Sequence, residues 1–165
     1  MASTNATTYT RTNTSIYVAD KMRNLMKRLV IDAGLDPKAL VDAWSSWVHD
    51  AARKLMESGH LEKIVIEFYV PGAANASGRW DFPIRYDASG VDEMWVDTEF
   101  FKSSFAKAPK PPSNCVYRIL LVEAPGAPDV GLTYVNFLGL NGLSPREAGT
   151  VIATPDIMAS AAYYR

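Results

Sequence analysis

The stretch Cys115-Val116-Tyr117-Arg118-Ile119-Leu120-Leu121-Val122 decides how this chain is read. Successive side chains of a strand point to opposite faces, and here both alternating sets are largely apolar, with Arg118 the one charge. A strand covered on both faces is expected. Just upstream, Pro109, Pro111 and Pro112 cannot continue a helix and form a stiff connector. That connector follows a short predicted helix capped by Asp97 or Thr98 and carrying Phe100, Phe101 and Phe105.

Downstream, from Ala124 to Arg165, the composition changes. This segment holds five of the ten glycines and four of the ten prolines, with few charges beyond Asp129, Arg146, Glu147, Asp156 and Arg165. It also keeps Leu132, Tyr134, Val135, Phe137, Leu138, Leu140, Leu143, Val151, Ile152, Ile157, Met158, Tyr163 and Tyr164, too many large apolar residues for a solvated tail. The glycine and proline breaks preclude a core of its own. The expected compromise is a segment that wraps over the preceding body and buries its apolar side chains there. Three such side chains would contribute roughly 5 to 9 kcal/mol gross, before the entropy of ordering the chain is subtracted, a balance that a ligand can reverse. The plainer alternative is a permanently docked C-terminal β-hairpin that completes the sheet. Within the segment, Ser144, Pro145 and Glu147 offer a one-turn capping box, so residues 135–149 read equally as strands, a helical turn or a bridge.

Working toward the N-terminus, Ile64, Ile66, Phe68 and Val70 alternate with Val65, Glu67 and Tyr69, and Trp80, Phe82, Ile84 and Tyr86 alternate with Arg79, Asp81, Pro83 and Arg85, across a Gly/Ala/Asn/Ser loop. This is a long-looped β-hairpin. Pro83 cannot donate to a ladder and is expected at an edge or a bulge. A helix precedes it: Asp36 is the cap, Pro37 sits at the first position, Leu40, Val41, Trp44, Trp47, Val48, Ala51, Leu55 and Met56 form the apolar face, and Gly59 is the stop. Trp44 and Trp47 could line a ligand cage, but their helical spacing favours core packing. A first helix carries Val18, Met22, Leu25, Met26 and Leu29, with Thr14 or Ser15 as cap and Gly34 as stop. Residues 1–13 read as a flexible polar arm.

The whole chain, 165 residues with 48% apolar and 21% charged, fits one ordinary soluble domain. A net charge of -1 supplies no long-range field to gather nucleic acid or an anionic membrane. One cysteine excludes an internal disulfide and a cysteine-built zinc site and suits a reducing cytoplasm. No signal peptide and no run of 18 apolar residues is present.

Catalytic residues are not expected. His49 and His60, the two histidines, lack the spacing of a metal site. Asp92, Glu93, Asp97 and Glu99 cluster around Trp95, and paired carboxylates can do acid–base chemistry, yet here they precede a helix whose dipole they complement. Cys115 opens an apolar strand beside no evident base. Lys102, Lys107, Lys110 and Arg118 make a small basic patch without aromatic interleaving. Phosphate-loop, dinucleotide and nucleophile-elbow strings do not occur. No metal or cofactor is called for.

Two helices, a hairpin returning through Gly78-Arg-Trp-Asp-Phe-Pro-Ile84, a short helix, the strand Cys115–Val122 and a wrapping tail together resemble the HORMA domain over nearly the whole chain. Met94-Trp-Val-Asp-Thr-Glu99 and Pro125-Gly-Ala-Pro-Asp-Val130 resemble its bacterial branch, associated with CBASS antiphage operons. The resemblance implies an α+β fold, three helices on a mainly antiparallel sheet, divided into an arm (1–13), a core (14–123) and a mobile C-terminal safety belt (124–165). It implies a non-enzymatic adaptor that captures a closure-motif peptide by β-augmentation on Cys115, Val116, Tyr117, Arg118, Ile119, Leu120, Leu121 and Val122. The belt would act through Pro125, Gly126, Pro128, Asp129, Val130, Leu132, Tyr134, Phe137, Val151, Ile152, Tyr163 and Tyr164. Implied partners are that peptide, a CD-NTase cyclic-oligonucleotide synthase activated by the closed form, an AAA+ ATPase that pulls the N-terminal region, and in some subtypes a sister HORMA protein. The alternative is a structural or assembly subunit with a fixed C-terminal hairpin as an oligomer contact.

Overall fold

The structure is a computed structural model and describes residues 10–86 and 93–165, with the side chains of Phe100 and Phe101 left aside. Helix α1 (Arg11–Asp32) is capped by Thr10, whose hydroxyl accepts the Asn13 N–H at 3.2 Å. The cap thus lies four residues before the expected Thr14, and Thr14 and Ser15 are instead fully buried within the helix. Thr10 caps as well as Thr14 would, and starting early lets Arg11 reach the rest of the fold. Residues 11–13 therefore belong to α1 and not to an arm, and most of the expected arm, residues 1–9, lies outside the described residues. Gly34 ends the helix at φ +80, where a glycine avoids the Cβ strain of the left-handed region.

The second expected helix forms in three parts: α2 (Lys38–Ala43), a π-helical turn (Trp44–Val48) and α3 (His49–Glu57). Asp36 accepts the Lys38 N–H, as a cap should. The wide turn leaves Trp44 and Val48 both buried, so the tryptophan spacing serves packing. Helix α1 lies along α3, and His49 reaches Asp20 between them at 3.1 Å.

The sheet is built from β1 (Leu61–Tyr69), β2 (Gly78–Arg85), β3 (Trp95–Val96), β4 (Val116–Glu123), β5 (Pro145–Ala153) and β6 (Met158–Tyr164), with helix α4 (Thr98–Lys107) between β3 and β4. Its spatial order is β3-β5-β6-β2-β1-β4, antiparallel throughout. One face, with Ile64, Ile66, Phe68, Trp80, Phe82 and Tyr163, joins Met22, Met26, Trp44 and Leu55 of the helices in a single core. Trp80 anchors it, stacked near Phe82 and edge-on to Phe105.

Two expectations about strands are corrected. Pro83 sits in β2, which is neither an edge nor bulged at that point: β1 lies on one side and β6 on the other. The β2–β6 ladder skips Phe82 and Pro83, so the missing N–H falls in a gap. Strand β4 is not covered on both faces along its length. It is the outermost strand; Ile119 and Leu120 are buried, while Val116 is 42% exposed. The expected capping box is also absent, since Pro145 opens β5 after a turn at Leu140–Leu143.

A candidate peptide-binding edge under a strap

The sheet has two edges, and they differ. On β4, the residues from Tyr117 to Val122 pair in unbroken register with β1, for instance Glu67 with Arg118 and Ile66 with Ile119. No strand among the described residues occupies the other side of β4. At the far end, β3 pairs with β5 at Ile152 and Ala153, and the Asp97 N–H bonds the Val151 carbonyl, leaving the part of β5 before Val151 without a strand on that side. That part begins with Pro145, exposes Arg146 and Glu147, and carries register breaks at Glu147/Gly149 and Thr150/Ile152. Proline, charge and bulges are the devices that keep an edge from pairing. From Tyr117 to Val122 the β4 edge has no proline and no bulge, and its one charge, Arg118, is paired with Glu67, so it is the edge left competent to accept a strand.

Topology dictates what happens next. Because β4 lies at one edge and β5 lies beyond β1, β2 and β6, the intervening residues 124–144 must cross the sheet. They start with the Ala124 N–H on the His60 carbonyl at 2.7 Å, and Ala127, Val130 and Leu132 pack against the core. They then cross the face opposite the helices. There the Arg118 guanidinium donates Nη2–H to the Asn136 carbonyl at 2.7 Å, and the Leu138 N–H donates to Glu67 Oε2 at 2.9 Å. Gly139 pairs with the β1–β2 loop, accepting from Ala76 N–H at 2.8 Å and donating to the Ala74 carbonyl at 3.0 Å. A Cβ at Gly139 would meet the Asn75 carboxamide oxygen, so that exposed side chain would have to swing aside to admit one. Asn141 and Gly142, both at positive φ, then turn the chain into β5.

The floor beneath this strap is charged. Glu67 is fully buried and accepts Arg118 Nε–H at 2.7 Å. Asp81, nearly as buried, accepts two bonds from Arg79 at 2.7 and 3.0 Å, one from Lys63 at 2.9 Å and one from the Tyr164 hydroxyl at 3.0 Å. Burial alone would push the Asp81 carboxyl up, but the bonds from Arg79 and Lys63 outweigh it and hold the group below the usual carboxylate range. Burial also raises the Tyr164 hydroxyl, with Asp81 adding to the effect. Phe137 lies over this floor, its ring centre 4.2 Å from the Arg79 guanidinium and 5.8 Å from the Lys63 ammonium. Tyr117, on the helix side, fixes the start of β4: its hydroxyl accepts the Leu40 N–H and donates to the Asp36 carbonyl.

The expected site residues therefore fall into three places. Val116 to Val122 form the free edge strand, and Cys115, buried, precedes it. Pro125, Gly126, Pro128, Asp129, Val130, Leu132, Tyr134 and Phe137 lie in the strap. Val151, Ile152, Tyr163 and Tyr164 belong to β5 and β6, on the other side of β2 from β4, and do not meet the edge strand. Sequence reasoning missed Glu67, Asn136, Leu138, Gly139 and the 74–76 loop. Glu67 reads only as one member of an alternating strand, and nothing local marks it as covered. Of the acidic cluster, Asp92 lies outside the described residues, and Glu99 pairs with Lys102 at 3.2 Å. Among the described residues no group of His, Cys, Asp or Glu is arranged to hold a metal ion, and no helix is long and apolar enough to cross a membrane.

Among the described residues, three helices, the second made of α2, the π turn and α3, lie on six antiparallel strands, and the C-terminal segment crosses from an edge strand to the opposite half of the sheet, the architecture of the HORMA fold. The family model described as Bacterial HORMA domain 2 matches residues 2–165, and the chain belongs to that family. It matches none of the curated proteins. Among solved structures it is similar to a chain of the mitotic checkpoint complex, at 10% identity and TM-score 0.67, covering 92% of this chain and 97% of that one. It is similar to C. elegans HTP-2 bound to the HIM-3 closure motif, at 11% identity and TM-score 0.62, covering 93% and 89%. The E. coli MS115-1 HORMA:CdnC:Trip13 complex contains a further neighbour, at 11% identity and TM-score 0.59, with the same coverages of 93% and 89%. At these identities the likeness is one of fold.

Proposed function

We propose that this chain is a non-enzymatic signalling adaptor of the cytoplasm that takes an extended closure-motif peptide onto the free edge of β4 and closes the 124–144 strap over it. In the closed form it binds and activates a CD-NTase cyclic-oligonucleotide synthase in CBASS-type antiphage defence, and an AAA+ ATPase reopens it from the N-terminal region. The observation that carries this reading is the contrast between the edges: β4 runs in regular register without proline or bulge where a strap crosses beside it, and β5 opens with proline and carries bulges. Relatives of the same fold support the partners, one captured with a closure motif and one with CdnC and Trip13.

The test is a peptide display screen on the full chain, followed by hydrogen exchange of β4 amides and an assay of cyclic-oligonucleotide synthesis by a purified CD-NTase with the chain added. Protection of Tyr117 to Val122 and stimulated synthesis are expected. Failure of any peptide to protect β4 would remove the reading.

One observation favours a second reading. Val151, Ile152, Ile157 and Ala159 of the C-terminal hairpin are fully buried, as a fixed structural or assembly subunit requires. Under that reading the strap amides exchange at the same rate with and without every peptide tested.

A further inference from the structure

We infer that Glu67 and Arg118 are the latch of the strap, positioning residues whose paired side chains hold residues 136–139 across the sheet and let them release without the β5–β6 hairpin. The inference rests on reading the strap as the cover of the β4 edge.

Each side chain makes two kinds of bond at once. Glu67 Oε1 accepts from Arg118 Nε, while Oε2 accepts the Leu138 N–H. Arg118 uses its Nη2 group to hold the Asn136 carbonyl. Two backbone groups of the strap, two residues apart, are thus satisfied by side chains of β1 and β4, not by a strand ladder. Such a pair is an odd choice if stability alone were served. Val65 and Leu120, paired two residues further along the same ladder, are buried and apolar, and an apolar pair in place of a buried ion pair is often as stable or more so. With Glu67 fully buried and Arg118 half-buried, the pair fixes the two strap groups that it binds.

The latch also divides the C-terminal segment. Releasing residues 134–139 uncovers charged side chains that water solvates and frees Tyr134, Val135 and Phe137, which are already 90%, 50% and 39% exposed. Leu138 is the partly buried apolar side chain among these residues. Removing β5 and β6 instead would expose Val151, Ile152, Ile157 and Ala159, all at 0%. Arg118 also belongs to the edge strand itself, so a chain docked on β4 meets the residue that holds the strap.

Hydrogen exchange on the full chain, with no peptide present, tests this. The double variant Glu67→Arg with Arg118→Glu keeps an ion pair between β1 and β4. The guanidinium then carried by β1 cannot accept the Leu138 N–H, and the carboxylate then carried by β4 cannot donate to the Asn136 carbonyl. Leu138 and Gly139 amides are expected to exchange at least tenfold faster, with β6 amides unchanged. If the double variant does not fold, Arg118→Lys decides: the charge remains, the second prong is lost, and strap exchange rises with β6 unchanged. Wild-type strap protection in the charge-swapped or Arg118→Lys protein, or an equal rise in strap and β6 in all variants, overturns the latch. Because no peptide enters the experiment, its failure is distinct from a failure of the peptide-binding reading.

Discussion

Arg11, at the first position of α1, donates Nε–H to Asp156 in the β5–β6 turn at 2.6 Å, joining residues 145 apart in the chain. The same guanidinium lies 5.2 Å from the centre of the Tyr86 ring and reaches the Met56 carbonyl. One side chain therefore connects the N-terminal helix, the end of α3 and the C-terminal hairpin. Both partners of the ion pair are partly exposed, so its contribution is discounted for solvent. Arg11→Ala is expected to cost about 1 kcal/mol and to lower Tm by about 3 °C. Amides of Thr154 to Ile157 should exchange faster than those of β1. Unchanged exchange at that turn would show that Arg11 does not hold it.

Asp81, buried and paired with Arg79 and Lys63, contributes an acid dependence to the fold. Its carboxyl lies below the ordinary value in the folded state, so the folded protein holds the ionised form more tightly than the unfolded chain does. The stabilisation is complete above the unfolded carboxylate value of about 3.9 and is lost as pH falls through the lower folded value. Asp81→Asn leaves Arg79 buried without its charge partner and is expected to cost about 3 to 5 kcal/mol at neutral pH. It should also flatten the loss of Tm with acid below about pH 4. A variant whose acid slope matches the wild type would move that dependence to another group.

Truncation separates the two parts of the C-terminal segment. Removing residues 124–165 takes β5 and β6 out of a six-stranded sheet and exposes the Trp80 side chain that packs on Tyr163. The truncated chain is expected to lose cooperative thermal unfolding altogether, read by calorimetry. A sharp transition within a few degrees of the wild type would show that the hairpin is dispensable.

Phe137→Ala removes the ring above Arg79 and Lys63. A cation–π contact of this exposure contributes about 0.5 to 1 kcal/mol, so Leu138 exchange should rise about three- to fivefold. Tm is expected to stay within about 1 °C, because the strap opens below the global transition. A Tm loss of several degrees would mean that the ring supports the fold as a whole.

Much of the fold was legible locally. Glycine stops at 34 and 59, the helical spacing of Val18 to Leu29 and Leu40 to Met56, and the alternation of Ile64 to Tyr69 and Arg79 to Arg85 all appear where they were expected, while Val70 and Tyr86 fall just past the strand ends. Hydrophobic period and turn chemistry act over a few residues, which is why they can be read without a partner segment. The free strand was legible as a strand, but its place at the edge was not, because an apolar sequence does not say on which side its neighbours lie.

By itself, then, the sequence determined the helices, the hairpin, the strand that ends at Val122 and the existence of a tail too apolar to be free. Tertiary structure alone decided that this tail is two things: a hairpin buried in the sheet and a strap resting on charges. It also decided that Glu67, an ordinary polar residue by its spacing, is fully buried beneath Leu138. The physical reason is that burial and charge pairing between residues 67, 118 and 138 depend on which strands end up adjacent. That adjacency is set by sheet order, which no local pattern carries.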